Sequence, residues 1–303
     1  MASTDNPLPS QLTWMVTGCS SGLGKLFIPA VLERGDRIIA TARKIDSLRE
    51  FADHRDVRLL QLDVTASEAE IRRKVTEALS FSGRIDVLVN NAGYVMSSVW
   101  EEIQMESLQH QFETNVFGPM RLTQVVLKHM RPRRSGSILF MSSIAGWLGV
   151  AGGGPYSASK FALEGAVESL HEEVKQFGIK VHLLVLGQFR TNILGDGRSK
   201  FTRPADSLAD YDTVVETLRT RQQQTNGKQP GCPKRAVELA RDVVRQEGSV
   251  LGKTELPLRI FMGSDAIATV RTKCRSTLAI LEKYEAIATA TDIPGADPVQ
   301  QYS

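Results

Sequence analysis

Short apolar runs rich in Val, Ile and Leu recur along the chain at 14–16, 37–40, 58–62, 87–89, 137–141 and 180–186. Runs of this length with little polar alternation suit strands covered on both faces. Between them the apolar positions return at helical spacing. In 161–177, Val167, Leu170, Val174 and Phe177 recur every three or four residues, which predicts a helix with one buried face. Strand and helix in alternation predict parallel strands joined by right-handed crossovers, hence a doubly wound α/β sheet.

After Leu186 the rhythm changes. Residues 192–232 are polar and punctuated by Gly and Pro, with one short helix expected around 211–223. Pro233 is expected to open a helix to about 246, because proline is tolerated in a first turn. A last strand is expected at 257–262, and one or two closing helices at 265–287. Residues 1–11 carry two prolines and are expected to form a flexible arm, with 291–303 as a tail. No biased linker separates two units, so 12–290 is expected to be a single domain with a late insertion at 192–232. Pro29 falls inside the first expected helix and should kink it or end it early.

Composition narrows the class without choosing within it. The 303 residues are 42% hydrophobic and 23% charged, enough for one large core. A formal net charge of +3 gives no general pull toward nucleic acid. The cluster Lys128, Arg131, Arg133 and Arg134 ends an expected helix, where cations suit the dipole, so it is read as solvated. No run approaches the roughly 18 consecutive apolar residues of a membrane span, and the first ten residues lack the basic and apolar regions of a secretory leader. Cys19, Cys232 and Cys274 match no zinc spacing, and neither do the five histidines. A cytoplasmic protein without a metal is the expectation.

Chemistry enters at the strand ends. The strand at 14–17 runs into Gly18-Cys19-Ser20-Ser21-Gly22-Leu23-Gly24, a variant of the dinucleotide fingerprint. Glycines let backbone approach a phosphate, and the helix that follows offers free N–H groups and a partial positive charge. Close to 20 residues on, where a carboxylate would hold the ribose of NAD, the chain has Arg43 and Lys44, and the first acid is Asp46. An arginine there suits the extra phosphate of NADP. A charged hydrogen bond worth about 1.5–3 kcal/mol would bias the cofactor roughly ten- to a hundredfold. Asp63, after the third strand, can accept from an adenine amino group or cap a helix. Tyr156 and Lys160 stand one helical turn apart. A lysine cation favours the phenolate of a neighbouring tyrosine, which suits proton exchange with an alcohol or carbonyl oxygen. Ser143 ends a strand, where its hydroxyl can stabilise charge on a substrate oxygen. Asn115 lies in an expected helix, where asparagine is a mediocre helix former.

TGCSSGLG, LDVT, NNAG, Asn115, SSIAG and YSASK, in this order and spacing, resemble the short-chain dehydrogenase/reductase family from about residue 12 to 194. The resemblance implies a Rossmann-like sheet of about seven strands flanked by helices. It implies Tyr156 as catalytic acid/base, Lys160 lowering its pKa and binding the nicotinamide ribose, Ser143 orienting the substrate oxygen, and Asn115 anchoring a water that links Lys160 to solvent. NADP(H) would be held by Gly18, Ser20, Ser21, Gly22, Leu23, Gly24, Arg43, Asp63, Val64, Asn91, Ala92, Gly93, Tyr156, Lys160, Gly187, Phe189 and Thr191. YSASKFALEGAVESL, FGIKVHLL and PLRIFMGSDA are similar to the 17β-hydroxysteroid and retinol dehydrogenase-like branch, in which Ser21 and Arg43 would meet the 2′-phosphate. One departure is Leu186-Gly187 in place of the usual Pro-Gly, expected to free backbone near the nicotinamide.

The resemblance implies a lipophilic steroid-, retinoid-, polyketide- or terpenoid-like substrate, interconverted between ketone and alcohol. Trp147, Leu148, Val150 and Phe189 would be its apolar walls, 192–232 its lid, and Gly152-Gly153-Gly154 the room beside Tyr156 for a bulky ring; Ser143, Trp147 and Tyr156 would touch it. A non-redox isomerisation or cyclisation on bound cofactor, or a non-catalytic NADP(H) sensor, are the competing readings. Helices near 109–130 and 156–176 pair subunits in many relatives, which implies a homodimer.

Overall fold

The carboxyl edge of a seven-stranded parallel sheet sets where everything else can go. The computed structural model describes residues 9–194, 199–201, 203–253 and 256–293; most of the expected arm and tail, 1–8 and 294–303, lies outside them. The strands are β1 (Thr13–Val16), β2 (Arg37–Ala42), β3 (Val57–Gln61), β4 (Val87–Asn90), β6 (Gly136–Ser143), β7 (Ile179–Leu186) and β9 (Arg259–Met262). They pair in the order β3-β2-β1-β4-β6-β7-β9, every neighbour parallel. The order reverses between β1 and β4, and such a switch point opens a crevice at the strand ends.

Alternation along each strand sorts side chains to two cores. Trp14 and Val16 of β1 join Ile38 and Ala40 of β2 beneath two helices, α1 (Gly22–Leu32) and the later α7 (Pro233–Arg245). Met15 and Ile39 point the other way. That second core is closed by α2 (Glu68–Ser82), α4 (Gly118–Arg133) and α5 (Gly154–Val174). Helix α1 continues to Leu32 despite Pro29. The proline is exposed and stands in the last turn, where it costs one backbone bond and its ring faces water. Helix α5 begins seven residues before the expected 161, with Pro155 in its first turn, so Tyr156 and Lys160 both lie on it.

Two features have no counterpart in the sequence pattern. Between α3 (Met105–Phe112) and α4 the chain widens into a π-helical turn, Glu113–Phe117. Strand β5 (Val95–Ser97) pairs in parallel with β8 (Ser199–Phe201), tying the late insertion to the segment after β4. Three-residue strands are too short for a period to register. The insertion also holds α6 (Asp212–Thr225), and the chain closes with one continuous helix, α8 (Ser264–Thr289).

The amino-terminal edge is fastened by a buried carboxylate. Asp36, fully enclosed, accepts from the Leu12 N–H at 2.8 Å, the Trp14 indole at 2.9 Å and the Arg245 Nε at 3.0 Å. It therefore links the entry of β1, the start of β2 and the end of α7. Replacing it would strand a largely buried arginine, so Asp36→Ala is expected to lower stability by about 3–5 kcal/mol. Urea unfolding of the full chain measures this; a loss below about 1 kcal/mol would mean the pair acts like an exposed one.

Candidate active site

The loop that joins β1 to α1 is shaped by what its backbone must pass. Gly18 has φ +72, and a Cβ there would lie 2.9 Å from Ala92 Cα; a Cβ on Gly24 would collide with the Gly18 carbonyl. Thr17 and Asn91 lace this loop to the end of β4. The Asn91 amide donates to the carbonyls of Thr17 (2.7 Å) and Gly18 (3.3 Å), and Thr17 Oγ1 accepts from the Asn91 and Ala92 N–H groups, each at 2.9 Å. The backbone of Ser20-Ser21-Gly22 therefore enters α1 with no side-chain cap and no acid in its first turn. Uncapped N–H groups at a helix start fit a phosphate. Leu23 turns inward against the first core.

Around the loop stand the other expected contacts. Cys19 N–H donates to Thr41 O at 2.8 Å, which keeps the loop beside the end of β2. There Arg43 is exposed and forms no ion pair among the described residues; its carbonyl accepts from Gln61. An unpaired guanidinium beside the loop fits a 2′-phosphate. Asp63 accepts from the N–H (3.0 Å) and hydroxyl (2.8 Å) of Thr65, whereas α2 is capped by Ser67. Val64 is buried next to it. Gly93 borders Asn115, whose Oδ1 lies 3.1 Å from where its Cβ would be.

The second half of the site joins β6 to α5. Lys160 is buried and donates from Nζ to the Met141 carbonyl at 2.6 Å; its ammonium lies 5.7 Å from the centre of the Tyr156 ring. Burial pushes the Lys160 pKa down to about 8, against the pull of the Glu164 carboxylate. Burial pushes the Tyr156 phenol up to about 12, against a hydrogen bond from Ser143. Ser143 Oγ also accepts from the Ala145 N–H at 3.1 Å. Asn115, in the π-helical turn, donates to Tyr94 O (3.1 Å) and Ser159 Oγ (3.2 Å), and its Oδ1 accepts from Tyr94 N–H (3.2 Å). Both its amide hydrogens are occupied, so a water held by Asn115 must donate to one of its oxygens. The structure thus brings Ser143, Tyr156 and Lys160 together, with Asn115 behind them through Ser159.

The missing proline does not loosen the chain after β7. Gly187 N–H donates to Met262 O at 2.9 Å and Gln188 N–H to Asp265 Oδ2 at 2.6 Å. The Asp265 carboxylate fills the place a side chain on Gly187 would need. Phe189 bridges to Gly231, and Thr191 reaches back to the glycine loop, 3.9 Å from a Cβ placed on Gly22.

The glycine run beside Tyr156 is a correction to the sequence reading. A Cβ on Gly152 would lie 2.7 Å from Leu218 of α6, one on Gly153 2.7 Å from Val150, and one on Gly154 2.7 Å from Trp100. The vacated space is filled by the insertion and by Trp100, not kept open for a ring. Trp147 sits edge-on to Phe261 at 5.7 Å with the Arg259 guanidinium 5.5 Å over it, so its ring is engaged in packing. Leu148 and Val150 remain exposed.

Sequence reasoning passed over Trp100, 63% exposed; an aromatic just past NNAG was the available signal. It also passed over Glu164, buried one turn beyond Lys160 on the same helix face. Glu164 accepts from Ser142 Oγ and from Arg259 Nε, the latter at 2.7 Å. The clamp on the insertion was equally unforeseen. Arg203 donates to both oxygens of buried Glu102 (2.8 and 3.1 Å) and to Asp212 (2.6 Å), while Leu208 N–H donates to Glu102 at 2.9 Å. Arg203 holds the Glu102 carboxyl below the usual carboxylate range.

Comparison with known proteins agrees with this geometry. A family model described as short chain dehydrogenase matches residues 13–201. Oxidoreductase BOA17 of Botryotinia fuckeliana is 33% identical over 282 residues, 92% of this chain and 98% of that one. Human retinol dehydrogenase 8 is 37% identical over 193 residues, 60% of each chain. The crystal structure of a short-chain dehydrogenase from Streptomyces avermitilis, 37% identical, superposes with a TM-score of 0.83, covering 94% of this chain and all of that one. Four more distant structures, 20–22% identical with TM-scores of 0.62–0.67, share the fold and contain NADP or 5-hydroxy-NADP. Among the described residues no helix is long and apolar enough to cross a membrane, and no cluster of His, Cys, Asp or Glu could hold a metal.

Arg203→Ala should release the insertion without touching the glycine loop. Limited proteolysis is expected to cut within 203–211 about tenfold faster, with cleavage elsewhere unchanged. Acid should act in the same direction. The folded-state pKa of Glu102 is depressed, so the clamp is present above the ordinary carboxylate range and is lost as pH falls through the lower folded value. Equal nicking of variant and parent at neutral pH would show that Arg203 does not hold the segment.

Proposed function

We propose that this chain, which belongs to the short-chain dehydrogenase family, interconverts a ketone and a secondary alcohol on a lipophilic small molecule with NADP(H). That it is an oxidoreductase follows from the family. The observation that carries the proposal is one cluster at the carboxyl edge of the sheet: Ser143 hydrogen-bonded to Tyr156, with a buried lysine beside the phenol.

The residues divide the work by their chemistry. Gly18, Ser20, Ser21, Gly22, Leu23 and Gly24 take the pyrophosphate through backbone, and Arg43 takes the 2′-phosphate. Asp63 and Val64 flank the adenine, and Asn91, Ala92 and Gly93 support the loop. Tyr156 and Lys160 hold the nicotinamide ribose, and Gly187, Phe189 and Thr191 border the ring. Bound NADPH supplies a hydride. In reduction Tyr156, protonated through the neutral range because its pKa is raised, gives its proton to the substrate oxygen as charge grows there. Ser143 donates to the same oxygen. The Lys160 cation stabilises the phenolate left behind, and Asn115 holds a water on the path by which Lys160 regains a proton.

Residues 192–232 act as the lid over the substrate. Leu148, Val150 and Trp100 offer exposed apolar surface beside Tyr156's helix, which favours a lipophilic substrate, as does the likeness to retinol dehydrogenase 8. Exposed Phe117 and Phe161, on the helices expected to pair subunits, support a homodimer. Three free cysteines suit the reducing cytoplasm.

Fluorescence titration should show NADPH binding at least about tenfold tighter than NADH, with Arg43→Ala bringing the two toward parity; equal binding by the parent would sink the role of Arg43. Tyr156→Phe is expected to cut turnover about 10²–10⁴-fold while NADPH binding persists. A response to NADPH without turnover, unaffected by that substitution, would favour a sensor. Because Lys160 titrates at about 8, reductase kcat/KM should be full below pH 8 and fall as pH rises through it. Glu164→Gln removes the charge that supports the ammonium and should move that fall to lower pH.

A further inference from the structure

Helix α8 leaves the body of the protein after its first two turns. Ala266 and Val270 are buried, and from Arg271 to the end of the helix at Thr289 every residue is exposed. That is roughly 28 Å of helix at 1.5 Å per residue. It lies beyond the residues that match the family model. Its exposed side chains are not those of a solvated helix. Leu278 (57% exposed), Ile280 (55%), Leu281 (60%), Tyr284 (46%) and Ile287 (69%) share one broad face. Helices of this length rarely persist in water without an apolar partner, and contiguous apolar surface of this kind marks an interaction site.

The charges say what the partner is. In a heptad register Cys274, Leu281 and Ala288 fall at a, and Thr277 and Tyr284 at d. Arg271, Leu278 and Glu285 then fall at e, and Lys273, Ile280 and Ile287 at g. The helix carries its bases early (Arg271, Lys273, Arg275) and its acids late (Glu282, Glu285), opposite to what the helix dipole favours. None of these forms an ion pair among the described residues. In an antiparallel pair, e faces e and g faces g. A two-fold axis level with Ala279 sets Arg271 against Glu285 of the partner subunit, and the reverse. The same axis sets Leu278 and Ile280 each against its own copy, Cys274 against Tyr284 and Thr277 against Leu281. Both ion pairs and every apolar layer are then satisfied at once. A parallel pair gives no such match, because its e–g contacts join Lys273 to Leu278 and Ile280 to Glu285. A lipid surface would hold Glu285, on the edge of the apolar face, against its headgroups.

We propose that the exposed part of α8 is a self-association helix that pairs antiparallel with α8 of a second copy of this chain. The contact is separate from pairing through α4 and α5, so it can join dimers formed there or form a dimer by itself.

Light scattering and sedimentation velocity on the full chain test this. Leu278→Glu/Leu281→Glu is expected to halve the assembly mass while leaving turnover and the unfolding transition in place, since both residues are exposed and lie outside the catalytic cluster. Arg271→Glu alone and Glu285→Arg alone each set like charges opposite twice, and each should weaken self-association about tenfold. The double exchange Arg271→Glu/Glu285→Arg should restore it. A parent chain that stays monomeric, or an unchanged mass in the leucine variant, overturns the proposal. So does a double exchange no tighter than the singles, which rules out the antiparallel register. Loss of binding to phosphatidylcholine vesicles without a change in mass would overturn it in favour of a lipid-docking face.

Discussion

A lysine ammonium held out of water at the end of a parallel strand is the constraint around which the catalytic side of this protein is built. Lys160 cannot sit where it does without an acceptor and a counter-charge. The Met141 carbonyl provides the first at 2.6 Å, and Glu164, one turn further along α5, provides the second. Glu164 is itself fixed by Ser142 and Arg259. Satisfying one buried cation therefore locks α5, β6 and β9 in register. Tyr156 and Ser143 come into contact because they are carried on those same elements.

The cofactor side rests on a different principle, close approach of backbone. Nothing in the loop between β1 and α1 reaches out to grip a ligand. Its glycines remove atoms, and Thr17 and Asn91 hold the resulting shape from behind. Rigidity comes from hydrogen bonds to main-chain groups that any substitution at Gly18 or Gly24 would displace. The two halves meet at the sheet's switch point, where Thr191 returns from β7 to lie beside Gly22.

The substrate side is assembled from distant stretches of chain. Glycines at 152 and 154 are filled by Leu218 and Trp100, and Arg203 is locked to Glu102 across a hundred residues of sequence. This region has the fewest buried apolar side chains, Val215 alone on α6, and relies on polar clamps instead. Such contacts open at lower cost than a packed core, which is the property a lid needs.

What the sequence determined by itself was whatever depends on local period and on motif. Alternating apolar runs announced the strands, and the two-residue period alone sorted Trp14 from Met15 into opposite cores. The glycine loop was legible because steric need leaves glycine little freedom to vary. Tyr156 and Lys160 were legible because four residues make one turn, although their helix began earlier than its apolar spacing suggested. Tertiary structure decided what depends on partners far along the chain. It showed that Asn115 sits in a π-helical turn because Tyr94 and Ser159 need its amide, that Leu186 does not free the strand end because Asp265 pins it, and that Trp147 serves packing while Trp100 faces the site. Strands of three residues and clamps between residues 102 and 203 leave no periodic trace. Their energy comes from pairings that exist only after the sheet has brought the two segments together.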